Sequence, residues 1–152
     1  METPQYFLDT NLLVHLIRGD GVGRYLIDKY SLYTIEPRPM ISDVSEGELR
    51  SLALLWNWGP QKQSQMQFLL GYFWRIAINE AAVFEAYAAI DVFGKSHGHS
   101  MGKNDLWIAA SAHAYQAHLL TTDKDFNHLH AVFLLRDYLD PANTPPKTTG
   151  RE

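Results

Sequence analysis

Short apolar runs alternate along this chain with longer segments whose apolar residues recur every three or four positions. The short runs predict β-strands, and the longer periodic segments predict amphipathic helices. The predicted strands span 6–8, 40–41, 75–78, 118–121 and 132–135, and the predicted helices span 12–18, 23–30, 45–56, 63–73, 80–93 and 104–117. Strands and helices that alternate through short connections predict an α/β fold with a mainly parallel sheet.

Local signals mark the ends of two predicted helices. Gly19 directly follows the first helix, as glycine often does at a helix C-terminus. Ser45 and Glu48 have the spacing of a capping box, in which both side chains bond backbone groups at the start of a helix. The apolar stripe predicted for that helix comprises Leu49, Leu52, Ala53 and Trp56.

Length and composition favour a single domain. The chain has 152 residues, of which 46% are hydrophobic and 12% aromatic, enough to build a packed core. We predict one domain over residues 1–140 and a disordered tail over 141–152, which is rich in Pro, Thr and Gly. The absence of cysteine excludes disulfides, a thiol nucleophile and a cysteine-bound zinc ion.

The N-terminal sequence lacks the basic start and apolar run of a secretory signal. Charged residues or histidines interrupt the apolar stretches, so no run of ~20 apolar residues is available to cross a membrane. The expectation is therefore a soluble, cytoplasmic protein.

The net charge of the chain is −4, from 17 acidic residues against 13 lysines and arginines. A protein that binds nucleic acid without regard to sequence needs a basic surface, so this balance argues against that class. If four acids are gathered in one pocket, 13 acidic and 13 basic residues remain. The rest of the surface is then close to neutral, and binding of nucleic acid is not excluded.

Asp9 and Asp123 follow the first and fourth predicted strands. The carboxyl ends of parallel strands lie at one edge of a sheet, where the binding sites of such folds are found. Both side chains are therefore expected at the same edge. The alternative is that Asp9 only caps the next helix and that Asp123 only shapes a turn.

Glu48 and Asp105 lie on predicted helices beside apolar residues. Glu48 borders the apolar stripe of its helix, and Asp105 precedes the largely apolar segment 106–110. A partly buried carboxylate costs free energy unless it is paired, hydrogen-bonded or bound to a metal. The alternative is that Glu48 completes the capping box and that Asp105 complements the helix dipole.

Convergence of these four carboxylates would create strong mutual repulsion and raise some of their pKa values. A divalent cation removes the conflict, and Mg²⁺ and Mn²⁺ prefer oxygen ligands. A cation held in this way can activate water and stabilise the charge that develops on a phosphodiester. A site made only of carboxylates therefore points towards phosphoryl chemistry with Mg²⁺ or Mn²⁺ as the cofactor.

Four segments of the chain resemble, in order, the four motifs of PIN-domain proteins. They are Tyr-Phe-Leu-Asp-Thr-Asn-Leu-Leu at 6–13, Ile-Ser-Asp-Val-Ser followed by Glu-Leu-Arg within 41–50, Gly-Lys-Asn-Asp-Leu-Trp-Ile-Ala-Ala at 102–110, and Leu-Leu-Thr-Thr-Asp-Lys-Asp-Phe at 119–126. Their order and spacing, together with the total length, resemble the VapC branch, the toxins of bacterial toxin–antitoxin pairs. The resemblance covers residues 5–135, and four motifs in order are a far more specific signal than one.

The resemblance implies a three-layer α/β/α domain with a short, parallel, five-stranded sheet. It implies that one or two Mg²⁺ or Mn²⁺ ions are held by Asp9, Glu48, Asp105 and Asp123. The implied activity is that of an endoribonuclease, which hydrolyses phosphodiester bonds in single-stranded RNA or in an exposed RNA loop. Asn11 and Thr122 would orient the carboxylates through hydrogen bonds, and Asp125 would assist or replace Asp123.

Partners follow from the same resemblance. RNA is the implied substrate, and Arg50, Lys103 and Lys124 stand beside the motifs as candidate phosphate contacts or as ordinary surface cations. A cognate antitoxin would lay a peptide or helix into an apolar groove, for which the helices over 52–73 are candidates. A homodimer is also expected.

Other hypotheses remain open. The pairs within 97–99 and 128–130 have the form His-X-His, but neither matches a known zinc-binding spacing, and His97 and His99 are expected to be exposed. A PIN-domain nuclease that processes RNA without an antitoxin has the same motifs. A non-catalytic RNA- or protein-binding module of this fold is a third possibility, since fold does not determine function.

Overall fold

The computed structural model describes residues 3–145, and its core is a five-stranded sheet. The strands are β1 (Tyr6–Leu8), β2 (Met40–Ser42), β3 (Trp74–Ile76), β4 (His118–Thr121) and β5 (Leu135–Tyr138). They pair in the order β3-β2-β1-β4-β5, and every pairing is parallel. The predicted α/β class and the five-stranded parallel sheet are confirmed.

Helices connect the strands and cover both faces of the sheet. Among the described residues, the α-helices are α1 (Thr10–Arg18), α2 (Gly21–Tyr30), α3 (Asp43–Leu55), α4 (Pro60–Tyr72), α5 (Ala81–Ser96) and α6 (Lys103–Ala114). Gly19 ends α1 at φ 65°, as predicted. None of these helices combines the length and the apolar character needed to span a lipid bilayer.

The sheet is the middle of three layers, because neighbouring strand residues point to opposite faces. On β1, Phe7 packs with side chains of α5 and α6, whereas Leu8 packs with side chains of α1 to α4. Leu119 and Leu120 repeat this alternation on β4. Both faces of the central strands are buried, as expected of a parallel sheet enclosed by helices.

The prediction that Ser45 and Glu48 form a capping box is wrong. α3 begins at Asp43, because Ser42 caps the helix by accepting a hydrogen bond from the backbone N–H of Val44. Ser45 is fully buried inside the helix. The side chains of Ser45 and Glu48 are thereby left for contacts with another part of the chain.

The apolar stripe predicted for α3 is correct for Leu49 and Ala53, which are buried, but wrong for Trp56, which is 45% exposed. The helix ends one residue before Trp56, and Asn57 then takes a positive φ of 52°. This left-handed residue turns the chain so that the backbone N–H of Trp58 bonds the carbonyl oxygen of Ala53 at 2.9 Å. Trp58 consequently enters the core in place of Trp56.

The last strand was predicted over 132–135, but β5 begins only at the end of that segment. Val132 is 58% exposed and lies in a turn. β5 is an edge strand whose polar residues conceal its pattern. Its Asp137 accepts a hydrogen bond from the Tyr30 hydroxyl at 2.7 Å and pairs with His118 Nε2 at 2.9 Å.

Smaller differences concern the third strand and the tail. β3 begins one residue before the strand predicted over 75–78 and ends two residues before its end. Within the tail predicted over 141–152, Pro141–Asn143 form a 3-10 turn. The remaining tail residues 146–152 lie outside the part of the chain that the structure describes.

Candidate metal centre

The carboxyl ends of β1 and β4 meet at the centre of the sheet. β1 pairs with β2 on one side and with β4 on the other, where Leu8 stands opposite Leu120. Such a reversal of strand order leaves a crevice beyond the strand ends, where ligands bind in open parallel sheets. Asp9 is the first residue after β1 and Asp123 is the second after β4, so both lie at this edge.

Asp9 is buried, at 3% exposure, and its two carboxylate oxygens have different partners. Oδ1 accepts a hydrogen bond from the backbone N–H of Thr10 at 2.7 Å, and Oδ2 accepts one from the Thr121 hydroxyl at 2.7 Å. Burial raises the pKa of Asp9 to about 6, against the lowering effect of these bonds, and the charges of Asp123 and Glu48 raise it further. Asp9 therefore caps α1 and also places at the sheet edge a carboxylate whose negative charge is disfavoured by its surroundings.

Thr10 connects the start of α1 with Glu48 on α3. Its hydroxyl donates to Glu48 Oε1 at 2.6 Å and lies 2.7 Å from the hydroxyl oxygen of Ser45. Thr10 has a single hydroxyl proton, which goes to the carboxylate, so the Ser45 hydroxyl must donate to Thr10. The chain of bonds from Ser45 through Thr10 to Glu48 orients this carboxylate.

Asp105, Asp123 and Asp125 each place one carboxylate oxygen within 4.8 Å of the other two. Asp105 comes from the first turn of α6, and Asp123 accepts a hydrogen bond from the backbone N–H of Asp125 at 2.9 Å. Burial raises the pKa of Asp105 to about 7, with further contributions from the charges of Asp9, Asp123, Glu48 and Asp125. Asp9 and Glu48 lie outside this cluster of three, but their charges also raise the pKa of Asp105, and the five acids together make one acidic group at the sheet edge.

This group fits a hard divalent cation. Its members offer carboxylate oxygens, the ligands that Mg²⁺ and Mn²⁺ prefer. Two of its carboxyl groups have pKa values raised to about 6 and about 7 by burial and by neighbouring charge. A bound positive charge would remove this repulsion.

The side chains that hydrogen-bond the carboxylates are Thr10 and Thr121, whereas the sequence suggested Asn11 and Thr122, the next residue in each case. Asn11 is exposed, and within residues 3–145 neither Asn11 nor Thr122 hydrogen-bonds a carboxylate through its side chain. The Thr121 hydroxyl also accepts a hydrogen bond from the backbone N–H of Asp123 at 2.9 Å, which forms a local turn that the sequence could have indicated. Threonine two residues before such an N–H is typical of this local turn.

The predicted phosphate contacts differ in availability, although all three are exposed. Arg50 Nε pairs with Glu46 Oε2 at 2.6 Å. Lys124 Nζ lies 6.0 Å from the centroid of the Tyr138 ring. Lys103, at the first position of α6, has no ion-pair partner in the described part of the chain and is free to meet a phosphate.

The histidine pairs do not form a comparable cluster. His97 and His99 are exposed, as predicted. Among the described residues, the only side chains that come close enough in a group of three or more to share an ion are the aspartates at 105, 123 and 125. No histidine belongs to this group. The zinc hypothesis therefore has no geometric support.

A cavity of about 840 Å³ lies at the opposite, amino-terminal edge of the sheet. Alanines of α5 and α6 form much of its wall, and Glu85 is the one acid among the described residues that line it. The acidic side chains that could hold a cation therefore lie at the other edge.

These observations define a class of protein, an α/β domain that gathers aspartates and a glutamate at the carboxyl edge of a parallel sheet. The PIN domain model matches residues 6–131 of the chain. The chain therefore belongs to the PIN-domain family. Comparison with curated protein sequences found no match.

Several solved structures share the fold. VapBC2 from Rickettsia felis, bound to a DNA fragment from its promoter, has a TM-score of 0.73 at 23% identity, covering 89% of this chain and 98% of that chain. VapBC-1 from nontypeable Haemophilus influenzae has a TM-score of 0.70 at 23% identity, with coverage of 88% and 96%. FitAcB from Neisseria gonorrhoeae has a TM-score of 0.65 at 24% identity, with coverage of 87% and 96%.

Proposed function

We propose that the chain is a Mg²⁺- or Mn²⁺-dependent endoribonuclease that acts as the toxin of a VapBC-type toxin–antitoxin pair. The observation that carries the proposal is the aspartate cluster of Asp105, Asp123 and Asp125, with oxygens within 4.8 Å of one another. Membership of the PIN-domain family supports a nuclease. The similarity to VapBC and FitAcB supports a toxin role.

In this proposal Asp9, Glu48, Asp105 and Asp123 hold the cation, with Asp125 assisting. A bound cation would activate water and stabilise the charge that develops on the scissile phosphate. The oxygen of the attacking water forms a bond to phosphorus as the bond to the leaving oxygen breaks. Asp123 serves as a cation ligand or accepts the proton of that water, while Thr10 and Thr121 keep their carboxylate partners oriented.

Cleavage of single-stranded RNA tests the enzymatic part. Asp9→Asn and Asp105→Asn are each expected to lower the rate by about 100-fold or more, because each removes a ligand charge. Asp28→Asn, at an exposed position outside the cluster, is the matched control and keeps the wild-type rate. Removal of divalent cations with EDTA abolishes cleavage, and readdition of Mg²⁺ restores it. Undiminished cleavage by both site variants would reject the assignment.

Exposed apolar side chains at the end of α3 support the antitoxin part of the proposal. Leu54 and Leu55 are 85% and 74% exposed, and Trp56 directly follows them. Phe68, on the neighbouring helix α4, is 49% exposed. Leu54, Leu55 and Trp56 are consecutive in the chain, and adjoining large apolar side chains that remain exposed are typical of protein interfaces. This surface falls within the region that the sequence suggested for antitoxin docking.

A short reading frame beside the gene, encoding a DNA-binding protein, would supply the antitoxin to be tested. That protein is expected to co-purify with the wild-type chain and with Val92→Glu, a control at an exposed apolar position on α5. The double variant Leu54→Glu, Leu55→Glu is expected to lose the complex. Unchanged complex formation would contradict this location, and absence of such a reading frame would favour an RNA-processing nuclease.

Homodimerisation and a cytoplasmic location stay predictions. Sedimentation of the purified chain over a range of concentrations tests the first, and cell fractionation tests the second.

A further inference from the structure

A small cavity of about 310 Å³ adjoins the aspartate cluster. It lies between the loop after α5 and a 3-10 helix, Lys124–Leu129, that follows β4. Its lining includes His99, Ser100, Asp125, Asn127 and His128. Asp125 also belongs to the aspartate cluster, so the cavity and the metal centre share a wall. Its volume is at the lower end for ligand sites, which suits one small, flat group.

Three nearly parallel rings are stacked beside this cavity, and two of them, His99 and His128, line it. His99 stacks on His128 with ring centroids 4.4 Å apart and planes inclined by 14°. His128 is in turn parallel to Phe93, at 6.4 Å and 5°. His99 is exposed, and no further ring of the described residues covers its outer face. The stack therefore ends in an open aromatic surface.

Gly94 allows the stack to form. Its carbonyl oxygen accepts a hydrogen bond from the backbone N–H of His99 at 2.7 Å. A Cβ at Gly94 would lie 2.8 Å from the His99 carbonyl oxygen and 3.5 Å from His128 Nε2. His128 Nε2 is buried without a hydrogen-bond partner among the described residues, and the ring itself is stacked between those of His99 and Phe93.

This geometry suits a flat ligand better than a metal ion. Ring nitrogens bind metals in the plane of the ring, and two rings inclined by only 14° do not direct their nitrogens to a common point. Unstacked bases of single-stranded RNA do stack on histidine and other aromatic side chains. Ser100 and Asn127 are exposed, and in residues 3–145 their side chains have no hydrogen-bond partner. Both side chains are therefore available to hydrogen-bond the edge of a base.

We propose that this cavity binds one unstacked RNA base beside the scissile phosphate. The ring of His99 is the stacking platform, and Ser100 and Asn127 contact the edge of the base. The inference rests on the proposed ribonuclease function, because the shared residue Asp125 puts the base next to the phosphodiester at the aspartate cluster. His99 therefore holds the base in place by stacking, and Ser100 and Asn127 supply the contacts that distinguish one base from another.

Two measurements test this inference. The first is the fluorescence anisotropy of labelled single-stranded hexanucleotides, one for each base and one abasic, bound to the chain in Ca²⁺, a hard cation that takes oxygen ligands, under conditions in which the hexanucleotides stay uncleaved. The variant His99→Ala is expected to weaken binding of at least one base-bearing hexamer by about 5-fold to 150-fold, the range for loss of one stacked base. Binding of the abasic hexamer stays the same. His99→Phe restores affinity, and His113→Ala, a histidine at the opposite sheet edge, changes nothing.

The second measurement is sequencing of the RNA ends that the otherwise wild-type chain produces, with and without His99→Ala. The variant is expected to lose base preference at one position beside the cut. If the wild-type chain cleaves RNA and His99→Ala changes neither affinity nor preference, this inference is overturned and the ribonuclease function stands. If the wild-type chain neither binds nor cleaves RNA, both are overturned.

Discussion

Replacement of Asp105 by asparagine is expected to stabilise the metal-free protein while it abolishes RNA cleavage. The pKa of Asp105 is raised from 3.8 to about 7 by burial and by the surrounding acids. At mildly alkaline pH the folded chain must therefore carry a charge that its surroundings disfavour. Asparagine has nearly the same shape and no charge, so the variant avoids this cost.

The size of the effect follows from the two pKa values. Each tenfold change in proton affinity corresponds to about 1.4 kcal/mol, so a rise from 3.8 to about 7 sets an upper limit of about 4 kcal/mol. Asp105 is only partly buried, and screening by solvent reduces this figure. We expect asparagine to raise the free energy of unfolding by about 1–2 kcal/mol above the folded-state pKa.

The sign of the pH dependence is fixed by the same shift. A carboxyl group with a raised pKa in the folded state binds more protons there than in the unfolded state, so stability falls as pH rises. For the wild type without metal, this loss occurs between pH 3.8 and about 7. The raised pKa of Asp9, about 6, acts in the same direction. The loss is expected to be smaller in Asp105→Asn.

Urea denaturation across this pH range, in the presence of EDTA, measures both effects. With Mn²⁺ in place of EDTA, the wild type is expected to become more stable than Asp105→Asn, because a cation that binds only the folded wild type stabilises it. Asp28→Asn, at its exposed position, is the control and follows the wild type. If Asp105→Asn is less stable than the wild type without metal at pH above 7, the reasoning from burial and repulsion is wrong.

Further predictions concern hydrogen bonds and packing. Thr121→Val removes the partner of Asp9 Oδ2 and of the Asp123 backbone N–H, and is expected to lower the free energy of unfolding by about 1–3 kcal/mol in urea. Thr121→Ser keeps the hydroxyl and is the control, and equal stability of all three proteins would contradict the assigned bonds. Gly23→Ala places a Cβ against a backbone carbonyl oxygen of α1, too close to fit without a shift of the helices, and is expected to cost about 1–3 kcal/mol in thermal unfolding. Gly47→Ala, on α3 with open space around the new Cβ, is expected to gain about 0.5–1 kcal/mol, and the same sign for both glycines would contradict the close approach of α1 and α2.

The sequence was informative about the site where the signals are local. Asp9 and Asp123 could be assigned to one sheet edge because each follows an apolar strand run, and this placement needs no knowledge of distant contacts. Thr121 could not be paired with Asp9 in this way, because the bond between them joins positions 112 residues apart. The role of Thr10 likewise depends on Glu48, 38 residues further along the chain.

The fold shows the same division between local and distant causes. The central strands were predictable because both of their faces are buried and their runs are apolar. The position of β5 was predicted wrongly because Asp137 interrupts its apolar pattern. The Asp137 carboxylate accepts a hydrogen bond from the hydroxyl of Tyr30, which is 107 positions away in the sequence. The start of α3 was misplaced because Ser42 and Ser45 are both suitable caps, and only the tertiary bond from Ser45 to Thr10 decides between them.

The position of Mn²⁺ in crystals of the chain, located by anomalous scattering, tests the central claim most directly. We predict a peak among the carboxylate oxygens of Asp105, Asp123 and Asp125, beside Asp9 and Glu48, and loss of that peak in Asp105→Asn. Crystals grown in Mn²⁺ whose acidic side chains stand apart, with the ion elsewhere or absent, would contradict it.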